Sequence, residues 1–264
     1  MNGSARSNAL ARALFGALSV GSLLFTWWLV TSLELVKPLI LPPPSDVWVG
    51  FLDIWHGYLN VPFWNHFLAS ISVMLGGYAM AIAIGVPLGI FMAWNRAVDW
   101  VVGPLLQILR PIPPPAWIPL AILWFGIGYA GKIFIVFIAA AVPCILNSYL
   151  AIKQTPPELL SSARSLGAKP HTLLFEVAIP SGLPTIMTGL RIALGIAWAS
   201  IVAAELVVSL AGFGFLIMNG YRNLESNIVF VGMAAVALLG LLMNLVFHRI
   251  ERALLPWRED QDNG

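Results

Sequence analysis

Glu205 is the first residue to weigh for chemistry, because it is the only acid between Glu176 and Glu225 and lies in an apolar run. A carboxylate at membrane depth is costly and usually functional. It could serve as a structural hydrogen bond or ion pair, a gate contact or a direct solute contact, and Arg110 and Arg191 are its candidate partners. A second group joins Gln107 and Arg110 to six prolines, Pro104, Pro111, Pro113, Pro114, Pro115 and Pro119, within 16 residues. Proline removes a backbone donor and disrupts a helix. Irregular backbone at membrane depth survives only inside protein or beside a water-filled cavity. The segment is therefore either a packed kink or a broken stretch on a translocation path, where Gln107, Arg110, Pro113 and Pro114 would border the solute.

Other reactive patterns lead nowhere. Gly126-Ile-Gly-Tyr-Ala-Gly-Lys132 imitates a phosphate loop, but Ile133 stands where a magnesium-holding Ser or Thr is needed. His56, His66, His171 and His248 lie in separate segments without ligand spacing, so no metal site is expected. Cys144 is the only cysteine, which leaves no disulfide framework and no four-cysteine metal site. Polar groups are isolated rather than clustered, so no catalytic residue and no enzyme activity are expected of this chain.

The elements that must hold these residues are membrane helices. Hydrophobic residues make up 59% of the 264 and charged residues only 10%, against about 25% charged in an ordinary soluble domain. That is too little polar surface for a soluble enzyme, and a net charge of +2 gives no case for nucleic acid. Uncharged windows run over Ala13–Leu33, Ile54–Asn95, Pro111–Gly131, Ile133–Ile152 and Ser226–His248, and a spanning helix needs about 20 residues. The expected fold is an all-α polytopic membrane protein with about six spans, 12–33, 67–94, 100–124, 132–152, 183–209 and 228–248. It forms a single transmembrane domain over 1–264. The first apolar run is longer than the usual core of a signal peptide, about 7–15 residues, so it is expected to stay as a span.

Lysine and arginine set the orientation. With the N-terminus inside, the inner side holds Arg6, Arg12, Arg96, Lys153, Arg164, Lys169, Arg249, Arg252 and Arg258, and the outer side Lys37, Lys132 and Arg222. Both termini are then cytoplasmic. The longest inner loop is 153–182. Pro156-Pro157 opens a short helix there, Glu158 favours its first turn, and Gly167 suits its stop. Pro180 and Pro184 are expected to flank the entry to the next span. A loop with its own folded element suggests a docking surface.

Glu158-Leu-Leu-Ser-Ser-Ala-Arg-Ser-Leu-Gly-Ala168, followed by Val177-Ala-Ile-Pro-Ser-Gly-Leu-Pro184, resembles the cytoplasmic loop of ABC-importer permeases. The pattern there is E-A-A-x-x-x-G and then a hydrophobic-proline element. Ser161, Ser162 and Ala163 take the first three positions and Gly167 the glycine. Serine replaces the usual Glu and Ala at the first two, which removes the acidic contact but keeps small side chains. Leu109–Leu120, Leu123–Gly128, Thr188–Gly195 and Ala203–Leu206 are similar to the nitrate/sulfonate/taurine branch of that family, and the likeness covers about 67–257. It implies a permease core at 67–250 and a coupling loop at 153–182, with Glu158, Ser161, Ser162, Ala163, Gly167 and Ala168 against an ATPase. It also implies a cytoplasmic ATPase dimer that binds ATP and magnesium, a periplasmic binding protein, a second permease copy, and a place in the lipid of the bacterial inner membrane. This chain would bind no cofactor. The implied solute is a small anion, taurine or an alkanesulfonate ahead of nitrate. The alternative is an ion-coupled secondary transporter, which would need coupling-ion sites and usually internal repeats.

Overall fold

The long apolar runs fold as helices, since in lipid every backbone polar group must be satisfied within its own segment. The computed structural model describes residues 2–207 and 209–256, with side chains from residue 14 onward. Arg258 and the side chains of Arg6 and Arg12, counted above for orientation, lie outside the described residues. The elements are α1 (Asn2–Ser32), α2 (Pro44–His56), α3 (Phe63–Trp94), α4 (Arg96–Leu109), α5 (Ile118–Phe125), α6 (Tyr129–Lys153), α7 (Pro157–Ser165), α8 (Pro170–Thr172), α9 (Ile179–Val207), α10 (Phe213–Arg222) and α11 (Ser226–Leu254). There is no strand among the described residues.

Five helices are long and apolar enough to cross a membrane: Leu14–Ser32, Phe63–Trp94, Tyr129–Lys153, Pro170–Val207 and Ser226–Leu254. The expected span at 100–124 is not one helix. Helix α4 ends at Leu109, Pro113 is extended with φ −66° and ψ 141°, and a 3-10 turn over Pro114–Trp117 leads into the eight-residue α5. Pro113, Pro114 and Pro115 supply no N–H to an α-helical ladder, so the break falls where they cluster.

The expected fifth span also differs. Its helix begins at Pro170 rather than at 183, and Pro180 and Pro184 lie inside it. Leu173–Ala178 is π-helical. This wider turn comes just before Pro180, whose ring would otherwise press on the carbonyl of Glu176. The excursion between α6 and this helix is thereby confined to residues 154–169, shorter than the expected 153–182. Helices α2 and α10 fold segments that lie outside the six expected spans.

The chain divides into two compact units, Met1–Phe63 with Leu216–Ala234, and Trp64–Phe215 with Ala235–Gly264. In the first, Tyr58 donates to Glu225, Asn223 Nδ2 donates to Tyr58 at 3.2 Å, and Trp27 Nε1 donates to the carbonyl of Pro42 at 3.0 Å. In the second, α3 and α6 meet along small residues. A Cβ added at Gly85 would lie 2.9 Å from Cys144 Cβ, and one at Gly89 would lie 2.9 Å from Ser148 Cβ. The Gly85-Val-Pro-Leu-Gly89 pattern thus serves internal packing. Between lipid-embedded helices, association rests on close van der Waals contact rather than on water exclusion. Helix α6 packs most extensively with α9, where Gly189 abuts Asn147 and Gly182 abuts Ala151.

Candidate functional site

Helix α9 carries Glu205 two residues before its end, and the side chain is 1% exposed. The neighbouring Ala204 is fully buried with Ile118, Ala121 and Ile135, so the small residue lets α9 close onto α5 and α6. Ser70 on α3 donates to the two carboxylate oxygens, at 2.7 Å to Oε1 and 2.9 Å to Oε2. The backbone N–H of Gly214 donates to Oε2 at 3.0 Å, and that of Phe213 donates to Ser70 Oγ at 3.1 Å. One turn of α3 earlier, His66 Nδ1 accepts from the N–H of Gly212 at 3.1 Å. Three consecutive amides after α9 are thus tied to α3 and to Glu205. Gly212 has φ +121°, and a Cβ there would run into the Glu205 carboxylate, so the position needs glycine.

The cation of this group is Lys132, at the start of α6 and 6% exposed. Its Nζ donates to Ser209 Oγ at 3.1 Å, lies 5.0 Å from the centre of the Tyr129 ring, and acts on Glu205 through its charge. The candidate partners named from sequence are placed otherwise. Arg191 Nη2 donates to Glu251 Oε2 at 2.5 Å and meets His248 Nδ1 at 2.7 Å. Arg110 sits at the C-terminal end of α4, in the wall of a separate cavity. The sequence counts Lys132 among the outer-side charges and marks Ser70 in no way. Their partners stand 77 and 135 residues away, so no local spacing signals them.

The proline segment borders a cavity of about 340 Å³. Leu109, Arg110, Ile112 and Pro114 form one side, and Asn147 of α6 with Ile192 of α9 belong to others. Gln107 and Pro113 are exposed but not in this wall.

Helix α7 stands apart. Glu158, Ser161 and Ser162 are exposed, Ala163 and Ala168 half-buried, and no residue of α7 is buried. Leu159 is 47% and Leu166 89% exposed. The helix ends in a double clasp: the N–H of Gly167 bonds to the carbonyl of Arg164 at 2.9 Å, and that of Ala168 to the carbonyl of Ala163 at 3.1 Å. This is the geometry of a left-handed glycine cap, and Gly167 has φ +86°. Ser161 turns its hydroxyl back to the carbonyls of Pro157 and Glu158, at 2.8 and 3.1 Å. Helix α7 rests on the π-helical turn that opens the next span. That turn is anchored in the membrane unit by Leu174 and Ala178, buried with Ile152. Among the described residues no three His, Cys, Asp or Glu side chains are grouped to hold a metal ion.

Comparison with known proteins supplies the frame for these features. Residues 85–259 match the family described as binding-protein-dependent transport system inner membrane component. The chain is 36% identical over 245 residues to the taurine transport system permease protein TauC of Escherichia coli, covering 91% of this chain and 89% of the relative. It is 32% identical to the bicarbonate transport system permease protein CmpB of Synechocystis, covering 92% and 88%. An inward-facing structure of the MetNI methionine ABC transporter shares the fold with a TM-score of 0.63 at 21% identity, over 70% of this chain and 93% of that one. With a family match over more than half its length, this multi-pass membrane protein belongs to the inner membrane components of binding-protein-dependent transport systems.

Proposed function

We propose that the chain is the membrane-spanning subunit of an ATP-driven importer for a small anion. A periplasmic binding protein delivers the solute, and a cytoplasmic ATPase dimer holds ATP and magnesium and supplies the work. The chain itself holds no nucleotide or other cofactor. Two copies of it pair in the lipid of the inner membrane with both termini in the cytoplasm. The observation that carries this reading is α7: a short helix with exposed Leu159 and Leu166, stopped by its own glycine cap and seated on the first turn of a span. It offers the ATPase an apolar handle, with Glu158, Ser161, Ser162, Ala163, Gly167 and Ala168 at the contact. Movement of that handle would pass through the π turn into α9 and reach the Glu205 group at the other end. Solute class is supported by the relatives named for taurine, aliphatic sulfonates and bicarbonate. All three solutes carry an acidic oxygen group.

The test is reconstitution of the chain in vesicles with its ATPase and binding protein. Uptake of taurine or bicarbonate should require all three proteins and ATP. Uptake by the chain alone, driven by an ion gradient, would replace this reading with a secondary transporter.

A further inference from the structure

The cavity beside the proline segment holds a charge that the fold leaves uncompensated. Arg110 is exposed and makes no hydrogen bond or ion pair within the described residues; the ion pairs there are those of Glu251 with Arg191 and His248. A guanidinium stays charged under all conditions, and a charge among membrane helices must face water or an opposite charge. The depth is fixed by the walls. Ile138, Ala139, Val142 and Pro143 come from the middle third of α6, and Ile192 and Ile196 from the middle third of α9. Leu109, Ile112 and Pro114 add further apolar wall, and the broken backbone that follows α4 is the kind tolerated only beside such a cavity. Asn147 is the other polar residue of the lining. Its Nδ2 donates to the carbonyl of Pro143 at 2.9 Å, which uses one of two N–H groups and leaves the second as a donor. A volume near 340 Å³ falls in the range of small-molecule sites, about 300–1,000 Å³.

We infer that this cavity is an anion subsite on the transport route, in which the solute's sulfonate or carboxylate-like oxygens pair with Arg110 and take a further hydrogen bond from Asn147. The inference rests on the reading of the chain as an anion importer and adds the place and the groups that hold the solute. Two N–H donors of a guanidinium match two oxygens of one such group. The apolar walls strengthen the attraction while offering few other polar contacts, so the anion is held by one charge and can leave.

The test reads charge preference inside the cavity without relying on transport. Cys144 is replaced by Ser and Ile112, in the cavity wall, by Cys, and the permease is purified with its ATPase in lipid nanodiscs. Two thiol reagents of similar size are compared, the anionic sulfonatoethyl methanethiosulfonate, itself an alkanesulfonate, and its cationic trimethylammonioethyl counterpart. With Arg110 present, the ratio of anionic to cationic rate should exceed that of the Arg110→Gln variant by roughly tenfold, an attraction of about 1.4 kcal/mol. Arg110→Lys should keep most of the preference, and excess ethanesulfonate should slow the anionic reagent only when Arg110 is present. Equal ratios in parent and Arg110→Gln, or no labelling of the cysteine in any nucleotide state, overturn the subsite. A parallel uptake assay with radiolabelled taurine and bicarbonate should show Arg110→Gln transport falling by roughly tenfold while the variant still co-purifies with the ATPase. Failure of the parent to take up either anion counts against the importer reading, and the labelling ratios still decide the subsite.

Discussion

At the scale of single residues, Glu205 collects buried donors. Ser70 and the Gly214 amide both depend on its oxygens. Glu205→Leu should strand them and destabilise the protein by about 1–3 kcal/mol for each buried donor left unpaired, read as a lowered thermal midpoint in detergent. Glu205→Gln keeps a carbonyl oxygen for Gly214 and should lose less stability than Glu205→Leu. It should still transport slowly, because the charge facing Lys132 is gone. Normal uptake by Glu205→Gln would make the charge dispensable and leave only the packing role. The burial of Glu205 was legible in the sequence, as a lone acid in an apolar stretch. Its partners were not. The arginines named for it are nearer to expectation by charge, but Arg191 closes on Glu251 and His248. Ser70 reaches Glu205, and Lys132 comes within electrostatic range of it, only because three helices converge there.

At the scale of elements, α7 carries the sharpest expectation. Ala163→Asp should place an unpaired charge at the contact and abolish co-purification of the ATPase with the permease. Gly167→Asp would be ambiguous, since φ +86° at that position strains most side chains. Gly167→Asn tolerates the left-handed cap and should keep both fold and docking, so the pair separates cap from contact. Full assembly with Ala163→Asp would remove the docking role. The α3–α6 seam gives a second expectation. Gly89→Val should push α3 off the carbonyl of Ile145 and Ser148, at about 1–3 kcal/mol of overpacking strain. Gly16→Ala in α1 meets nothing within 4 Å and should not lower the thermal midpoint. The helix of α7, its proline entry and its glycine stop were readable because capping is local chemistry. The break in the expected third span was announced by its prolines. The early start of the fifth was hidden, because Pro180 and Pro184 read as boundaries, and it takes the π turn to carry a helix through them.

At the scale of the whole molecule, composition alone set the class, since so few charges cannot cover a soluble fold. Their distribution also makes a claim about topology. Nine basic residues on one side against three on the other predict a cytoplasmic C-terminus. A fluorescent protein fused there should mature, and alkaline phosphatase at the same site should stay inactive. Phosphatase inserted after Asn223 should be active. The reverse pattern would turn the molecule over and take α7 away from any cytoplasmic ATPase.

The π-helical turn at Leu173–Ala178 has a consequence for how this chain could change length. Such a turn holds one residue more than the regular helix around it, so it behaves as an insertion that was never expelled. Deleting a single residue there would let the stretch relax to the ordinary period. Each residue of an α-helix turns the chain by about 100° and advances it about 1.5 Å. The wide turn already absorbs that spare step, so its removal there would leave α7 nearly in phase with α9, whereas the same deletion elsewhere in the helix would turn one flank against the other. The membrane half is pinned by Leu174, Ala178 and the seam with α6, so a rotation made elsewhere would fall on α7. A one-residue deletion in the π turn would then keep the handle's direction but press the ring of Pro180 on the carbonyl one turn before it, a loss of stability rather than of aim.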